Sequence, residues 1–128
     1  MLNLKPVVMF NIAIIEDDLD LRKALSDHFA RSAQFECVMA VDSVEKFVKL
    51  HRDFLDIHLV LLDMMMPQMD GYETARAIRQ NAIWKKLPVI AVTAKAMTGD
   101  REKCIEAGAS DYITKPVDID QLLSLLRV

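Results

Sequence analysis

The chain has few of the residues that punctuate or staple a polypeptide: three glycines, four prolines and two cysteines in 128 residues. The glycines and prolines do not cluster, so no linker, low-complexity tract or repeat array is marked. A single domain over 1–128, with its core at about 10–128, is the expectation at this length. Cys37 and Cys104 lie far apart without metal-type spacing. Cys37 falls in an apolar stretch and reads as a small buried hydrophobe, and no functional disulfide is expected. Long hydrophobic runs are missing as well. The opening MLNLKPVVMFN holds apolar stretches of only a few residues, and no run approaches the roughly 18 residues of a membrane span, so a cytoplasmic protein with neither leader nor anchor is expected. Positive charge is not in excess either. A formal net charge of −3 argues against the basic face that nucleic acid or an anionic membrane selects, and points to a protein partner.

What is present is a regular alternation. Four short runs, Ile12 to Ile15, Cys37 to Val41, Leu59 to Leu62 and Val89 to Val92, and a weaker fifth, Tyr112 to Thr114, are apolar on successive positions. That pattern marks parallel strands buried on both faces. Between them lie helix-length segments with three-to-four spacing: Leu21, Ala24, Leu25, His28 and Phe29, then Val44, Phe47, Val48 and His51. Their apolar faces are expected to cover the sheet. Asp42 with Glu45 reads as a capping pair for the second helix, and Asp118 opens a last helix along Ile119, Leu122, Leu123, Leu125 and Leu126. A third helix, roughly Tyr72 to Gln80, is less periodic, with Asp70 and Gly71 as turn residues before it. A fourth, from about Asp100 to Ala107, ends at Gly108, a natural left-handed cap. Five βα units imply a doubly wound five-stranded parallel sheet with helices on both faces.

In such sheets a ligand site forms beyond the carboxyl ends of the strands. Glu16, Asp17 and Asp18 follow the first run, Asp63 the third, Thr93 the fourth and Lys115 the fifth. Glu16, Asp17 and Asp63 together carry about −3 when ionised, a crowding that raises pKa values unless a cation intervenes. A divalent ion plus Lys115 brings the sum near zero. Mg²⁺ (or Mn²⁺) suits these hard oxygen donors and commonly bridges to phosphate. So neutralised, Asp63 can act as a carboxylate nucleophile towards a phosphoryl group, with Lys115 and the Thr93 hydroxyl stabilising charge and no general base required. Each residue alone has a plainer reading: helix-capping acids for Glu16, Asp17 and Asp18, a loop acid for Asp63, a solvated lysine and a cap for Lys115 and Thr93. Their convergence at one sheet end is what the plainer readings leave unexplained.

The stretches IIEDDLDLR, LLDMMMPQMDGYE and VIAVTAKAMTGDREKCIEAGASDYITKP, in that order, resemble the receiver domain of two-component response regulators over essentially the whole chain. The resemblance implies a flavodoxin-like (βα)5 fold with strand order 2-1-3-4-5. It implies Asp63 as phosphoacceptor, Asp17 as direct metal ligand, Glu16 as a ligand acting through water, and the Met65 backbone carbonyl as a further ligand. Lys115 pairs with the phosphoryl and Asp63 oxygens, Thr93 bonds a phosphoryl oxygen, and Tyr112 swings inward when Thr93 moves. The Lys115 to Pro116 bond is implied to be cis. The implied phosphodonor is a histidine kinase or histidine phosphotransfer protein, and the implied downstream partner binds the face of the fourth helix, fifth strand and fifth helix. The segment TAKAMTGDREKC is similar to receivers attached to hybrid sensor kinases. With no output module before Val128, the chain reads as a stand-alone receiver or a piece of a larger protein, monomeric or weakly dimeric.

One departure concerns lifetime. Many relatives place a polar side chain at the position of Met65, near the path of a hydrolytic water that Lys95 also flanks, so a persistent aspartyl phosphate is expected. Met64, Met65, Met66 and Met69 could offer thioethers to copper, but flexible gap-filling is the commoner use of methionine. The expected function is a signalling switch rather than an enzyme, with self-phosphorylation and autodephosphorylation at most. A phosphatase of the haloacid-dehalogenase type resembles DxD at its nucleophile, whereas here Asp63 is followed by Met64 and Met65. A receiver-like module that no longer accepts phosphate is the third reading, and the full set of Glu16, Asp17, Asp63, Thr93 and Lys115 speaks against it.

Overall fold

The computed structural model describes residues 10–51, 57–66, 69–93 and 99–126. Its elements run β1 (Phe10–Ile15), α1 (Leu19–Ala30), β2 (Phe35–Val41), α2 (Val44–His51), β3 (Leu59–Asp63), α3 (Gly71–Gln80), β4 (Val89–Thr93), α4 (Asp100–Ala107), β5 (Asp111–Thr114) and α5 (Ile119–Leu126). The strands form one parallel sheet in the order β2-β1-β3-β4-β5, the doubly wound order expected. Between β3 and α3, Met65–Met66 pairs antiparallel with Met69–Asp70. Among the described residues no helix is long and apolar enough to cross a membrane.

Because successive strand residues point to opposite faces, each apolar run feeds two cores. Ile12, Ile14, Leu59, Leu61, Ile90, Val92 and Ile113 pack with Phe29 of α1 and with Leu122 and Leu123 of α5. Ala13, Ile15, Val60, Leu62, Val89 and Ala91 pack on the other face with Phe47 of α2, Ala75 and Ile78 of α3, and Cys104 and Ala107 of α4.

Helix ends follow local chemistry. Asp18 Oδ1 accepts from the N–H groups of Asp20 (2.9 Å) and Leu21 (3.1 Å) at the start of α1, and Asp118 does the same for Asp120 (2.8 Å) and Gln121 (3.2 Å) at α5. Gly108, at φ 119°, closes α4 in the left-handed region where a Cβ is costly. The expected Asp42–Glu45 pair does not cap α2. The Ser43 hydroxyl accepts the Lys46 N–H at 3.2 Å, while Asp42 Oδ2 pairs with Lys46 Nζ at 2.8 Å. The cap lies one residue later because Asp42 directly continues the row of β2 and a shorter side chain reaches the first turn.

Three further differences concern burial. On α1 only Phe29 of the expected face is fully buried; Leu25 and His28 are half-buried, and Leu21 and Ala24 are exposed. In α3 the buried residues Gly71, Thr74, Ala75 and Ile78 follow a regular three-to-four spacing, hidden in the sequence because three of the four are small or polar. Cys37, expected to be buried, is half-buried. Met64 is packed in the core on the α2, α3 and α4 face, the gap-filling role. The side chains of Met65, Met66 and Met69, and all of Lys95, fall outside the described residues.

Candidate functional site

The sheet register assembles the site. Ile15 stands opposite Leu62, Leu62 opposite Ala91, and Ala91 opposite Tyr112. One residue further along, Glu16 leaves β1 and Asp63 ends β3 in the same row, so both carboxylates leave the sheet at the same level. Thr93, opposite Thr114, ends β4, and the N–H of Lys115 donates to the Thr93 carbonyl at 2.8 Å. The Lys115–Pro116 peptide bond is cis. Lys115 Nζ lies 2.5 Å from Asp63 Oδ2 and 4.0 Å from Glu16 Oε1.

Glu16, Asp63 and Thr93 are buried, at 1%, 2% and 6% exposure, which sets this end of the sheet apart from a solvated cluster of acids. The loop after β1 is fixed by its main chain: the N–H of Glu16 donates to the Val41 carbonyl at 3.0 Å, and Arg22 Nη1 donates to the Glu16 carbonyl at 2.9 Å. Burial first, then the hydrogen bond and charge of Asp63, push the Glu16 carboxyl up to about 8, against smaller lowering effects of the Asp18 N–H and of Lys115. Two buried carboxylates facing one ammonium are an under-neutralised pocket.

Asp17 is half-buried and opens onto an acidic cleft of about 560 Å³, shared with Asp42, Glu45, Asp70 and Glu73. Tyr112 is half-buried against the core that α4 covers. Met65 is placed through its backbone, which pairs with Asp70. Thus Asp63, Glu16 and Lys115 meet directly, Thr93 borders them through the Lys115 N–H, Asp17 leads into the cleft, and Tyr112 stands apart on the α4 side.

The donor set fits a hard divalent cation. Glu16 Oε1 is buried without a hydrogen-bond donor, and burial first, then the neighbouring Asp63, make the charged form of Glu16 costly. Among the described residues no three acidic, histidine or cysteine side chains close a metal cage by themselves. The protein would hold an ion through part of its shell, leaving the rest to water and ligand, as suits Mg²⁺.

Two structural residues at the site escaped the sequence reading. Gly71 is not a turn glycine but the first residue of α3. A Cβ placed there meets the Met64 Cα at 2.5 Å and the Asp63 carbonyl oxygen at 3.0 Å, so the position demands the absence of a side chain. Its signal was the Asp70–Gly71 pair immediately before a helix. The other, His28, bonds the Val117 carbonyl through Nε2 at 3.0 Å, and nothing in its spacing pointed there.

Comparison with known proteins agrees with this fold. The family described as the response regulator receiver domain matches residues 12–127. The response regulator Rre1 of Synechocystis sp. is 32% identical over 120 residues, covering 91% of this chain and 50% of that protein. The sensor histidine kinase RcsC of Salmonella typhi is 36% identical over 117 residues, 91% of this chain and 12% of that protein. The chain therefore spans half or less of these relatives. Among solved structures, the CheX-CheY-BeF3-Mg+2 complex of Borrelia burgdorferi superposes with a TM-score of 0.75 at 28% identity, covering 93% of this chain and 87% of that one. The receiver domain of the Pseudomonas aeruginosa sensor histidine kinase PA1611, with magnesium in its active-site cleft, gives a TM-score of 0.71 at 28% identity, covering 94% and 96%. The chain belongs to the response regulator receiver domain family of two-component signalling.

Proposed function

We propose that this receiver is a phosphorylation switch in which Asp63 accepts a phosphoryl group from a phosphohistidine on a histidine kinase or histidine phosphotransfer protein. The observation that carries this is the buried Asp63 carboxylate with the Lys115 ammonium on its Oδ2, at the sheet end where Glu16 and Thr93 converge. An Asp63 oxygen forms the O–P bond as the N–P bond of the phosphoimidazole breaks. The electron pair returns to the ring nitrogen, and the imidazole, which keeps the proton on its other nitrogen, leaves as the neutral ring. Lys115 orients Asp63 and balances the added charge, and the Thr93 hydroxyl donates to a phosphoryl oxygen. Asp17, Asp63, the Met65 carbonyl and, through water, Glu16 would hold a Mg²⁺ ion. That ion supplies electrostatic stabilisation of the transferring oxygens and template binding.

The output side is the α4-β5-α5 face. Of α4, only the small residues Cys104 and Ala107 are buried, so little apolar area holds that helix, and weakly packed elements move first. The exposed Arg101–Asp111 pair at 3.4 Å ties α4 to β5 on the same face. Recruitment of Thr93 by a phosphoryl group frees space for Tyr112 to turn inward and biases this face towards a second arrangement, which a downstream protein reads.

Intact-mass spectrometry after treatment with acetyl phosphate and Mg²⁺ tests the proposal. Wild type gains one phosphoryl mass that is lost on alkaline treatment, and Asp63→Asn gains none. A mass gain of full yield in Asp63→Asn overturns the assignment. Turnover of a generic phosphate ester would instead favour a phosphatase.

A further inference from the structure

We propose that His28 is a positioning residue for Lys115, acting through the Val117 carbonyl to hold the loop between β5 and α5 against α1. This rests on the phosphoacceptor reading above and assigns it a residue outside the strand-end set.

Lys115 belongs to a short segment held at both ends. On the sheet side its N–H donates to the Thr93 carbonyl at 2.8 Å. Two residues later the chain is held again, where His28 Nε2 lies 3.0 Å from the carbonyl oxygen of the buried Val117. A carbonyl only accepts, so Nε2 carries the hydrogen and His28 donates in either protonation state. Leaving that partly buried carbonyl without its donor would cost more than the bond itself contributes.

The histidine is fixed in turn by packing. Its ring meets the edge of Phe29 at 5.6 Å and 72°, and Phe29 meets Phe35 at 5.3 Å and 75°. At its other end α1 holds the opposite side of the site, through Arg22 Nη1 on the Glu16 carbonyl at 2.9 Å. One helix thereby fixes two loops whose side chains, Glu16 and Lys115, approach to 4.0 Å. Phosphoryl transfer depends on position and charge, and a displacement of about 1 Å costs up to about a hundredfold in rate. None of the residues proposed to hold the metal lies on the loop between β5 and α5 that His28 ties.

The test compares His28→Leu, which keeps apolar bulk and removes the donor, with His28→Gln, which retains an N–H. Phosphorylation by acetyl phosphate is followed at saturating Mg²⁺, and Mg²⁺ affinity is measured separately by calorimetry. The expected result is a rate about tenfold lower in His28→Leu, largely restored in His28→Gln, with Mg²⁺ affinity unchanged in both. A wild-type rate in His28→Leu, or a Gln variant as slow as Leu, overturns the inference, as does a matching loss of Mg²⁺ affinity. Should His28→Leu not fold, ¹⁵N NMR of the wild-type imidazole decides: a protonated Nε2 supports the tie, and a bare Nε2 refutes it. If wild type itself takes up no phosphoryl group, it is the phosphoacceptor reading that fails; label in wild type with no effect of His28→Leu sinks only this inference.

Discussion

Replacing Gly71 by alanine places one methyl group against the backbone that presents Asp63. The new Cβ would lie 2.5 Å from the Met64 Cα, and 3.0 Å from both the Asp63 carbonyl oxygen and the Met64 sulfur. Ordinary contact is about 3.5–4 Å between carbons, so α3 or the segment after Asp63 must retreat by about 1 Å. Overpacking of this kind costs about 1–3 kcal/mol, offset by up to about 1 kcal/mol from the better helix propensity of alanine. The net loss of about 0–3 kcal/mol lowers Tm by up to about 15 °C, and the chain still folds. Chemistry suffers more, because a shift of about 1 Å in the Asp63–Met65 segment costs about 10–100-fold in phosphorylation rate. The assay pairs thermal unfolding with the rate of mass gain from acetyl phosphate at saturating Mg²⁺. A folded Gly71→Ala protein phosphorylated within twofold of wild type would refute the reasoning, since the contact would then have no hold on Asp63.

Other consequences are open to equally direct measurement. Ser43→Ala should lower urea stability by about 1 kcal/mol through loss of the α2 cap, and Asp42→Asn should lower it less, as a solvent-screened ion pair; the reverse ranking would restore Asp42 as the cap. The Glu16 pKa is raised on folding, from 4.5 to about 8, so between those values the folded state binds more protons than the unfolded one. This group's contribution is therefore fully present below about pH 4.5 and is lost as pH rises through about 8. In the presence of chelator, urea midpoints of wild type should fall across that window more steeply than those of Glu16→Gln, and equal slopes would contradict the assigned burial. Met65 offers water only a weakly accepting thioether, so Met65→Asn should speed loss of the phosphoryl group; a rate unchanged or slower would contradict the expectation that Met65 prolongs it.

The sheet was legible because a parallel strand buried on both faces leaves a continuous apolar run, and the residue after each run then falls at the edge where ligands bind. Glu16, Asp63, Thr93 and Lys115 were singled out that way, and register explains why Glu16 and Asp63 emerge at the same level. Strand order, the roles of Tyr112 and Met65 and the cis bond came from family resemblance, which periodicity alone does not contain. Helix starts were legible where an acid stands at the right offset, as at Asp18 and Asp118. They were misread at α2, where Asp42 and Ser43 are both good caps and only backbone direction decides between them. The buried face of α3 was masked by Gly71, Thr74 and Ala75, which pack by smallness rather than hydrophobicity. Burial on α1 was overestimated, since Leu21 and Ala24 extend the apolar pattern without reaching the sheet. His28 on Val117 joins segments 89 residues apart, and Gly71 against Met64 depends on how the chain turns back between β3 and α3. No local pattern encodes them.

The central claim is that the phosphoryl group resides on one carboxylate. Borohydride reduction of the phosphorylated protein converts an acyl phosphate to the alcohol, so peptide mass spectrometry locates the modified aspartate as homoserine. The account requires homoserine at position 63 and at no other aspartate. Homoserine at Asp17 in place of Asp63, or a stable phosphoryl mass carried on a serine, threonine or histidine, would contradict it.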